Sequence, residues 1–126
     1  MKVKKIMTKK PITINKDATV LEAEKLMSLN KIGRLIVMDG KEIVGIITDG
    51  DLVVEHTLDS KVANYMSEDV FKIKESSTVQ KAAKILSNHQ IGGLPVLDDK
   101  NKLTGIVTAE DIVYGYVRDD EDEVEV

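Results

Sequence analysis

The sequence contains two copies of one pattern, and this repeat constrains the fold more than any other feature. Residues 3–53 align with residues 62–113, and the alignment slips by one residue only in a short turn, where residues 39–42 face residues 98–102. Hairpin loops tolerate such differences in length. We therefore interpret the chain as a duplicated structural unit. Identical residues fall on one another along the alignment, among them Met7 and Met66, Thr19 and Thr78, and Ala23 and Ala82.

Each copy predicts the same order of elements: a short strand, a helix, a strand hairpin and a second helix. In the first copy the predicted strand covers residues 12–14, and residues 19–30 predict a helix because apolar residues recur on one helical face. Thr19 and Glu22 have the spacing of a capping box. The runs LIVM and EIVGII predict strands that are buried on both faces and joined at a turn.

The remaining elements complete the prediction of the fold class. A closing helix is expected from Asp49 to about Leu58, and the second copy repeats the pattern at residues 71–73, 78–89, 94–97, 102–107 and 109–117. Neither copy can cover both faces of its own sheet with helices of this length, so the copies should pack on each other. The predicted fold is α/β, of the α+β type, with two tandem β-α-β-β-α repeats related by pseudo-twofold symmetry.

Composition excludes several functional classes. The chain has no cysteine, which removes disulfides, thiolate nucleophiles and cysteine zinc sites. No apolar run reaches the roughly 18 residues of a membrane span, and no apolar segment follows the basic start, so we expect a cytoplasmic protein without a membrane partner. The net charge of −4 derives from the acidic end of the chain, residues 118–126, for which we predict a disordered tail.

Three motifs, each present twice in the same order, resemble the tandem CBS-domain pair, or Bateman module, of the stand-alone type. They are IMTKKPITI and YMSEDVFKI, IGRLIVMD and IGGLPVLDD, and GIITDGD and GIVTAED. The resemblance implies two CBS repeats, at residues 1–58 and 59–117, with two clefts between them. It also implies a regulatory module that binds an adenine nucleotide, namely AMP, ADP, ATP, NAD or S-adenosylmethionine.

The motif GxxTxxD has two interpretations. Thr48 and Asp51 stand where a helix cap and its third residue would be, and this alone explains the spacing. Alternatively, open amides at a helix start suit a phosphate, and an ionised carboxylate accepts hydrogen bonds from a ribose diol. Spacing favours the cap, whereas the resemblance favours ligand binding. Gly45 and Gly105 are expected to allow close backbone approach in a crowded sheet.

The resemblance implies that the opening segment of one copy completes the cleft of the other. Ile46, Thr48 and Asp51 would then bind together with Val70 and Phe71. Ile106, Thr108 and Asp111 would bind together with Pro11 and Ile12. In each cleft the apolar side chains would contact adenine, the threonine a phosphate and the aspartate the ribose.

The two predicted clefts differ in charge. Arg34 occupies the position that Gly93 occupies in the other copy, beside the predicted phosphate. It is interpreted either as a bidentate phosphate clamp or as a surface arginine. Glu68 and Asp69 would repel a polyphosphate from the Arg34 cleft, which should suit one phosphate or a dinucleotide. Lys9 and Lys10 would favour longer phosphate tails in the other cleft, and Mg²⁺ is expected only with a polyphosphate.

Other functional classes have less support. No catalytic motif is present, and His56 and His89, the only histidines, lack metal-ligand spacing, so we predict neither an enzyme nor a metal site. Two alternatives stay open: a ligand-free dimerisation or protein-interaction module, and, less favoured, a nucleic-acid binder that uses the basic N-terminus.

The closing helices DLVVEHTL and EDIVYGYV are apolar on more than one face and predict a homodimer, which would signal to an unknown effector protein.

Overall fold

The computed structural model describes residues 1–53, 57 and 59–115. The predicted acidic tail lies outside these residues, as do residues 54–56 and 58 of the predicted closing helix of the first copy and residues 116 and 117 of that of the second. The chain forms two compact units. Residues 12–70 make up one, which we call the continuous unit, and residues 1–11 together with the chain from Phe71 onwards make up the other, the discontinuous unit. The opening segment of each copy thus belongs to the unit built on the other copy.

The described residues form four helices and seven strands, and two further turns are 3₁₀-helical. In chain order they are α1 (Val3–Ile6), β1 (Thr8–Lys9), β2 (Thr13–Asn15), α2 (Val20–Asn30), β3 (Arg34–Asp39), β4 (Glu42–Thr48), the 3₁₀ turns Gly50–Val53 and Val62–Asn64, β5 (Ile73–Lys74), α3 (Val79–His89), β6 (Gly93–Leu97), β7 (Leu103–Thr108) and α4 (residues 109–115). The mixed α/β fold class is therefore confirmed.

The continuous unit contains a three-stranded sheet in the order β2-β3-β4, with β2 parallel and β4 antiparallel to β3. Helix α2 begins at the predicted capping box: the Glu22 amide donates to Thr19 Oγ1 at 3.2 Å, and the Thr19 amide donates to Glu22 Oε2 at 3.4 Å. The buried core of this unit consists of Ile14, Ala23, Met27, Leu35, Val37, Ile47 and Val62. Val62 enters this core from the opening segment of the second copy.

The discontinuous unit contains a four-stranded sheet in the order β1-β7-β6-β5. Its strands β5 and β6 are parallel, and β7 is antiparallel to both β6 and β1. The buried core consists of Val3, Ile73, Ala82, Leu86, Leu94, Val96 and Val107. Val3 belongs to α1, a helix that the sequence did not predict; the lysines of this helix are exposed, but Val3 is completely buried.

Each opening segment pairs with the closing strand of the other copy at a glycine. Ser67 exchanges two backbone hydrogen bonds with Ile46, at 2.8 and 3.0 Å. Thr8 is likewise the antiparallel partner of Ile106. A Cβ atom on Gly45 would lie 2.5 Å from Met66 Sδ, and one on Gly105 would lie 2.7 Å from the Thr8 carbonyl oxygen. The predicted close backbone approach at these glycines is confirmed.

Two predictions of local structure need correction. Strand β3 is buried on both faces as predicted, but β4 alternates between buried and half-buried residues, so one of its faces is partly open. The predicted helix from Asp49 is a 3₁₀ turn over Gly50–Val53, because the Leu52 amide bonds to the Asp49 carbonyl three residues back. Glycine at position 50 lowers helix propensity, whereas the second copy has Glu110 there and continues into α4.

We predict that Gly45→Ala and Gly105→Ala each destabilise the protein by about 1–3 kcal/mol, because the new methyl group must displace a methionine or a main-chain carbonyl. Thermal unfolding followed by circular dichroism measures the change. Gly50→Ala is the matched control, since its added Cβ would meet only Thr48 Oγ1, at an ordinary contact distance of 3.6 Å. Equal unfolding temperatures for Gly45→Ala, Gly105→Ala and the control would contradict the steric argument.

Candidate functional site

In the continuous unit, Thr48 and Asp51 cap each other across the end of β4. The Thr48 amide donates to Asp51 Oδ2 at 2.8 Å, and the Asp51 amide donates to Thr48 Oγ1 at 3.2 Å. This is the reciprocal geometry of a capping box, and it confirms the capping interpretation of the motif. Both side chains are half-buried.

The discontinuous unit repeats this arrangement at the start of α4. The Thr108 amide donates to Asp111 Oδ2 at 2.9 Å, and the Asp111 amide donates to Thr108 Oγ1 at 3.1 Å. One contact has no equivalent among the described residues of the other unit. The Thr8 hydroxyl, from the opening segment of the first copy, donates to Asp111 Oδ1 at 3.2 Å and lies 3.4 Å from Oδ2.

The backbone amides at the start of the turn in the continuous unit are all engaged. Besides the two capping bonds, the Asp49 amide donates to the Gly33 carbonyl at 2.9 Å, and the Gly50 amide donates to Asp49 Oδ1 at 2.8 Å. The prediction that open amides face a phosphate is therefore wrong for this unit, because the motif's own side chains and the neighbouring strand use them. The polar groups that remain belong to side chains.

Two of these side-chain groups retain hydrogen-bonding capacity. Oδ1 of Asp51 makes no hydrogen bond to any residue that the structure describes. The hydroxyl oxygen of Thr48 accepts one bond, and its proton makes none within the same set of residues. The cap thus uses one carboxylate oxygen and one hydroxyl lone pair, and it leaves an anionic acceptor on Asp51 and a donor on Thr48.

Strand register places Arg34 beside this face. Arg34 is the direct cross-strand partner of Thr48, and Ile36 is the partner of Ile46. Side chains of directly opposed residues lie on the same face of a sheet, so Arg34, Thr48 and Ile46 share one face. In the discontinuous unit Gly93 is opposite Thr108, and that face lacks the corresponding side chain. Arg34 thus lies opposite the motif threonine, and its predicted place beside a phosphate stays a prediction.

The other predicted site residues are distributed between the two units. Val70 is half-buried in the continuous unit, and Pro11 is half-buried in the discontinuous unit. Ile12 packs against the core of the continuous unit. Phe71 packs against the core of the discontinuous unit, and its ring stacks on His89 with centroids 3.8 Å apart. Ile12 and Phe71 thus belong to a different unit from the motif that each is expected to complete, and their roles remain predictions.

Sequence reasoning missed Thr8 and Ser67 as neighbours of the motifs. Thr8 pairs with Ile106, and Ser67 pairs with Ile46, so each lies on the face that carries its motif threonine. A signal was present, because the two residues align with each other in the repeat and both carry a hydroxyl group. Their position depends on strand pairing between the copies, which local sequence does not specify.

The described part of the chain lacks two features. It contains no group of three or more histidine or acidic side chains placed to hold a metal ion. Over the same residues, no helix combines the length and the hydrophobicity that crossing a bilayer requires.

The fold and the paired motifs define a class of protein with two tandem β-α-β-β-α modules, each ending in a capped threonine–aspartate turn. The family model of the CBS domain matches residues 3–55 and again residues 62–118. The chain belongs to the CBS domain family.

Solved structures of CBS pairs share this fold. A CBS domain pair in complex with 5′-methylthioadenosine and S-adenosyl-L-methionine is 31% identical, with a TM-score of 0.83, and the match covers 94% of this chain and 98% of that chain. A CBS domain pair/ACT domain protein from Thermotoga maritima is 30% identical, with a TM-score of 0.77 over 94% of this chain and 98% of that one.

Relatives differ in how much of their length the match occupies. A CBS domain-containing protein of Dictyostelium discoideum is 38% identical over 88% of this chain and 88% of its own length. The L-aspartate semialdehyde sulfurtransferase of Methanocaldococcus jannaschii is 36% identical over 87% of this chain but only 22% of its own length. The CBS pair therefore makes up most of one relative and a minor part of the other.

We predict that Thr48→Ala and Thr108→Ala each destabilise the protein by about 0.5–2 kcal/mol, because each removes the acceptor of a capping bond. Chemical denaturation measures the loss. Thr48→Ser and Thr108→Ser retain the hydroxyl oxygen and are the matched controls, with stability close to wild type. If serine costs as much as alanine, the hydroxyl does not act as a cap.

Proposed function

We propose that this protein is a regulatory module that binds an adenine nucleotide in each unit and catalyses no reaction itself. One observation carries the proposal: Asp51 uses a single carboxylate oxygen to cap Thr48, and Thr48 shares one partly open face of the sheet with Ile46 and Arg34. The solved CBS pair bound to 5′-methylthioadenosine and S-adenosyl-L-methionine, both adenosine compounds, supports this ligand class.

Each part of the nucleotide has a partner of suitable chemistry in the continuous unit. Oδ1 of Asp51 accepts hydrogen bonds from the ribose diol, and a hydrogen bond to a charged group contributes about 1.5–3 kcal/mol. The Thr48 hydroxyl donates to the phosphate, and the Arg34 guanidinium adds a charge-assisted contact to it. The apolar side chains of Ile46 and Val70 cover the adenine ring.

The two units should prefer different phosphate tails. Arg34 gives the continuous unit a fixed positive group for a single phosphate or a dinucleotide, while the exposed Glu68 and Asp69 disfavour a long anionic tail. The discontinuous unit has Gly93 in place of arginine, and the exposed Lys9 and Lys10 accommodate longer tails. Ile106, Thr108 and Asp111 bind the nucleoside there, together with Pro11. Mg²⁺ would accompany only a polyphosphate.

A second function, dimerisation, has its own support. Val53 and Val113 occupy matching positions in the two copies and are 84% and 59% exposed, and Tyr114 beside Val113 is 57% exposed. In the discontinuous unit Val113 also borders an apolar groove between α3 and α4, which Leu86, Ile91 and Ile112 help to line. Exposed apolar side chains at repeated positions suit a homodimer, through which nucleotide binding could reach an effector protein.

We predict that Asp51→Ala and Asp111→Ala each weaken AMP binding at one site about ten- to a hundredfold, as expected from losing charge-assisted bonds to the ribose. Isothermal titration calorimetry measures both sites. Asp99→Ala is the charge-matched control, because Asp99 is an exposed residue in the β6–β7 turn. The absence of AMP-binding heat in wild type, with a dimer in analytical ultracentrifugation, would favour the interaction function instead.

We predict that Arg34→Gln weakens AMP binding to the continuous unit about tenfold but leaves adenosine binding unchanged, because in the proposed complex the guanidinium contacts the phosphate and not the nucleoside. Comparing the two ligands by calorimetry separates this effect from damage to the nucleoside site. Arg34→Lys, which keeps the charge and loses the planar fork, should fall between wild type and Arg34→Gln. A parallel loss of adenosine affinity would identify Arg34 as a structural residue rather than a phosphate contact.

A further inference from the structure

The aspartates of the two motifs differ in their hydrogen bonding. Asp51 leaves Oδ1 without a hydrogen bond among the described residues, whereas Asp111 has Oδ2 bonded to the Thr108 amide and Oδ1 bonded to the Thr8 hydroxyl. The Thr8 hydroxyl also lies within 3.4 Å of Asp111 Oδ2. The oxygen that would accept the ribose diol is therefore available in the continuous unit and occupied in the discontinuous unit.

The position of Thr8 is determined by strand pairing and close packing. Thr8 is opposite Ile106, which places its side chain on the face that carries Thr108 and Asp111. Its carbonyl oxygen lies against Gly105, 2.7 Å from where a Cβ atom would be. The branched Cβ of threonine further restricts rotation about χ1. The hydroxyl is therefore held at the carboxylate by the fold as well as by its own hydrogen bond.

Ser67 is the counterpart of Thr8 and lacks this contact. It pairs with Ile46 through two backbone hydrogen bonds, so its backbone has the corresponding position in the continuous unit. Its hydroxyl makes no hydrogen bond to Asp51 or to any other residue that the structure describes, and the side chain is exposed. Serine lacks the methyl group that restricts χ1 in threonine.

We propose that the Thr8 hydroxyl, by its hydrogen bond to Asp111 in the ligand-free protein, competes with the nucleotide and makes the discontinuous unit the weaker of two nucleotide sites. This inference rests on the nucleotide-binding function proposed above. A ribose diol must compete with the Thr8 hydroxyl for Asp111 Oδ1, whereas Oδ1 of Asp51 has no such competitor among the described residues. The continuous unit therefore fills first, and the discontinuous unit responds at higher nucleotide concentration.

The test uses the full chain with Asp51→Ala, so that Asp111 is the remaining ribose acceptor. In this background, adding Thr8→Val should increase the affinity for AMP about three- to tenfold, the effect of removing one competing hydrogen bond. Valine keeps the shape and the β-branch of threonine, so the strand pairing of Thr8 with Ile106 is preserved. Calorimetric titration with AMP measures the change.

Ser67→Ala in an Asp111→Ala background is the matched control and should leave the AMP affinity of the continuous unit unchanged. Unchanged or weaker AMP binding on adding Thr8→Val would overturn the proposal, since a weaker affinity would mean that Thr8 contacts the ligand. If wild-type protein binds AMP but neither aspartate variant weakens binding, the proposed ribose contact itself has failed, which is a different result.

A second measurement, on ligand-free protein, tests the Thr8–Asp111 bond directly. A double-mutant cycle of Thr8→Val and Asp111→Asn in chemical unfolding should show a coupling of about two- to fivefold in the unfolding equilibrium constant. The equivalent cycle of Ser67→Ala and Asp51→Asn should show none. Additive effects in the Thr8 cycle would overturn the proposal whether or not the protein binds AMP.

Discussion

The close approach of each opening segment to a glycine in the other copy's closing strand is the contact on which the structure depends. At Gly45 and Gly105 a methionine sulfur and a main-chain carbonyl occupy the space where a side chain would begin. This contact places residues of both copies in the core of each unit, as Val3 and Val62 show. A boundary drawn between residues 58 and 59 follows the duplication, but it would separate each core from one of its buried residues.

The capped turn of the first motif lies beside side chains that suit the proposed ligand. A threonine and an aspartate that cap each other are a common way to end a strand and begin a turn, and they need no ligand. Here the cap uses only one oxygen of Asp51, and the strand register adds an arginine and an isoleucine on the same face. Capping and ligand binding are therefore compatible, because the carboxylate has enough lone pairs for both.

The two proposed sites share one design, and their differences lie beside the motif rather than within it. The first copy has Arg34 opposite its motif threonine, where the second copy has Gly93, so the charge at this position differs. Asp111 accepts a hydrogen bond from Thr8, whereas Asp51 accepts none from the corresponding Ser67. Both differences come from neighbouring strands, whose side chains can vary while the cap is retained. A chain with two such sites can respond to one ligand over a wider range of concentration than a chain with two identical sites.

The sequence by itself determined the duplication, the helices after Thr19 and Thr78, the hairpins and the threonine–aspartate caps. These features depend on local spacing and on hydrophobic periodicity, which are visible along the chain. It did not predict the 3₁₀ turn at Gly50, the burial of Val3, the engaged amides of the first motif or the contact between Thr8 and Asp111. The 3₁₀ turn and most of the engaged amides depend on local hydrogen bonds that the prediction of a regular helix did not anticipate. Only the tertiary structure decided the burial of Val3 and the contact between Thr8 and Asp111, because both depend on which segments lie side by side, and Thr8 and Asp111 are 103 residues apart in the chain. Local sequence does not encode such a neighbour; the pairing of one copy's opening segment with the other copy's closing strand creates it.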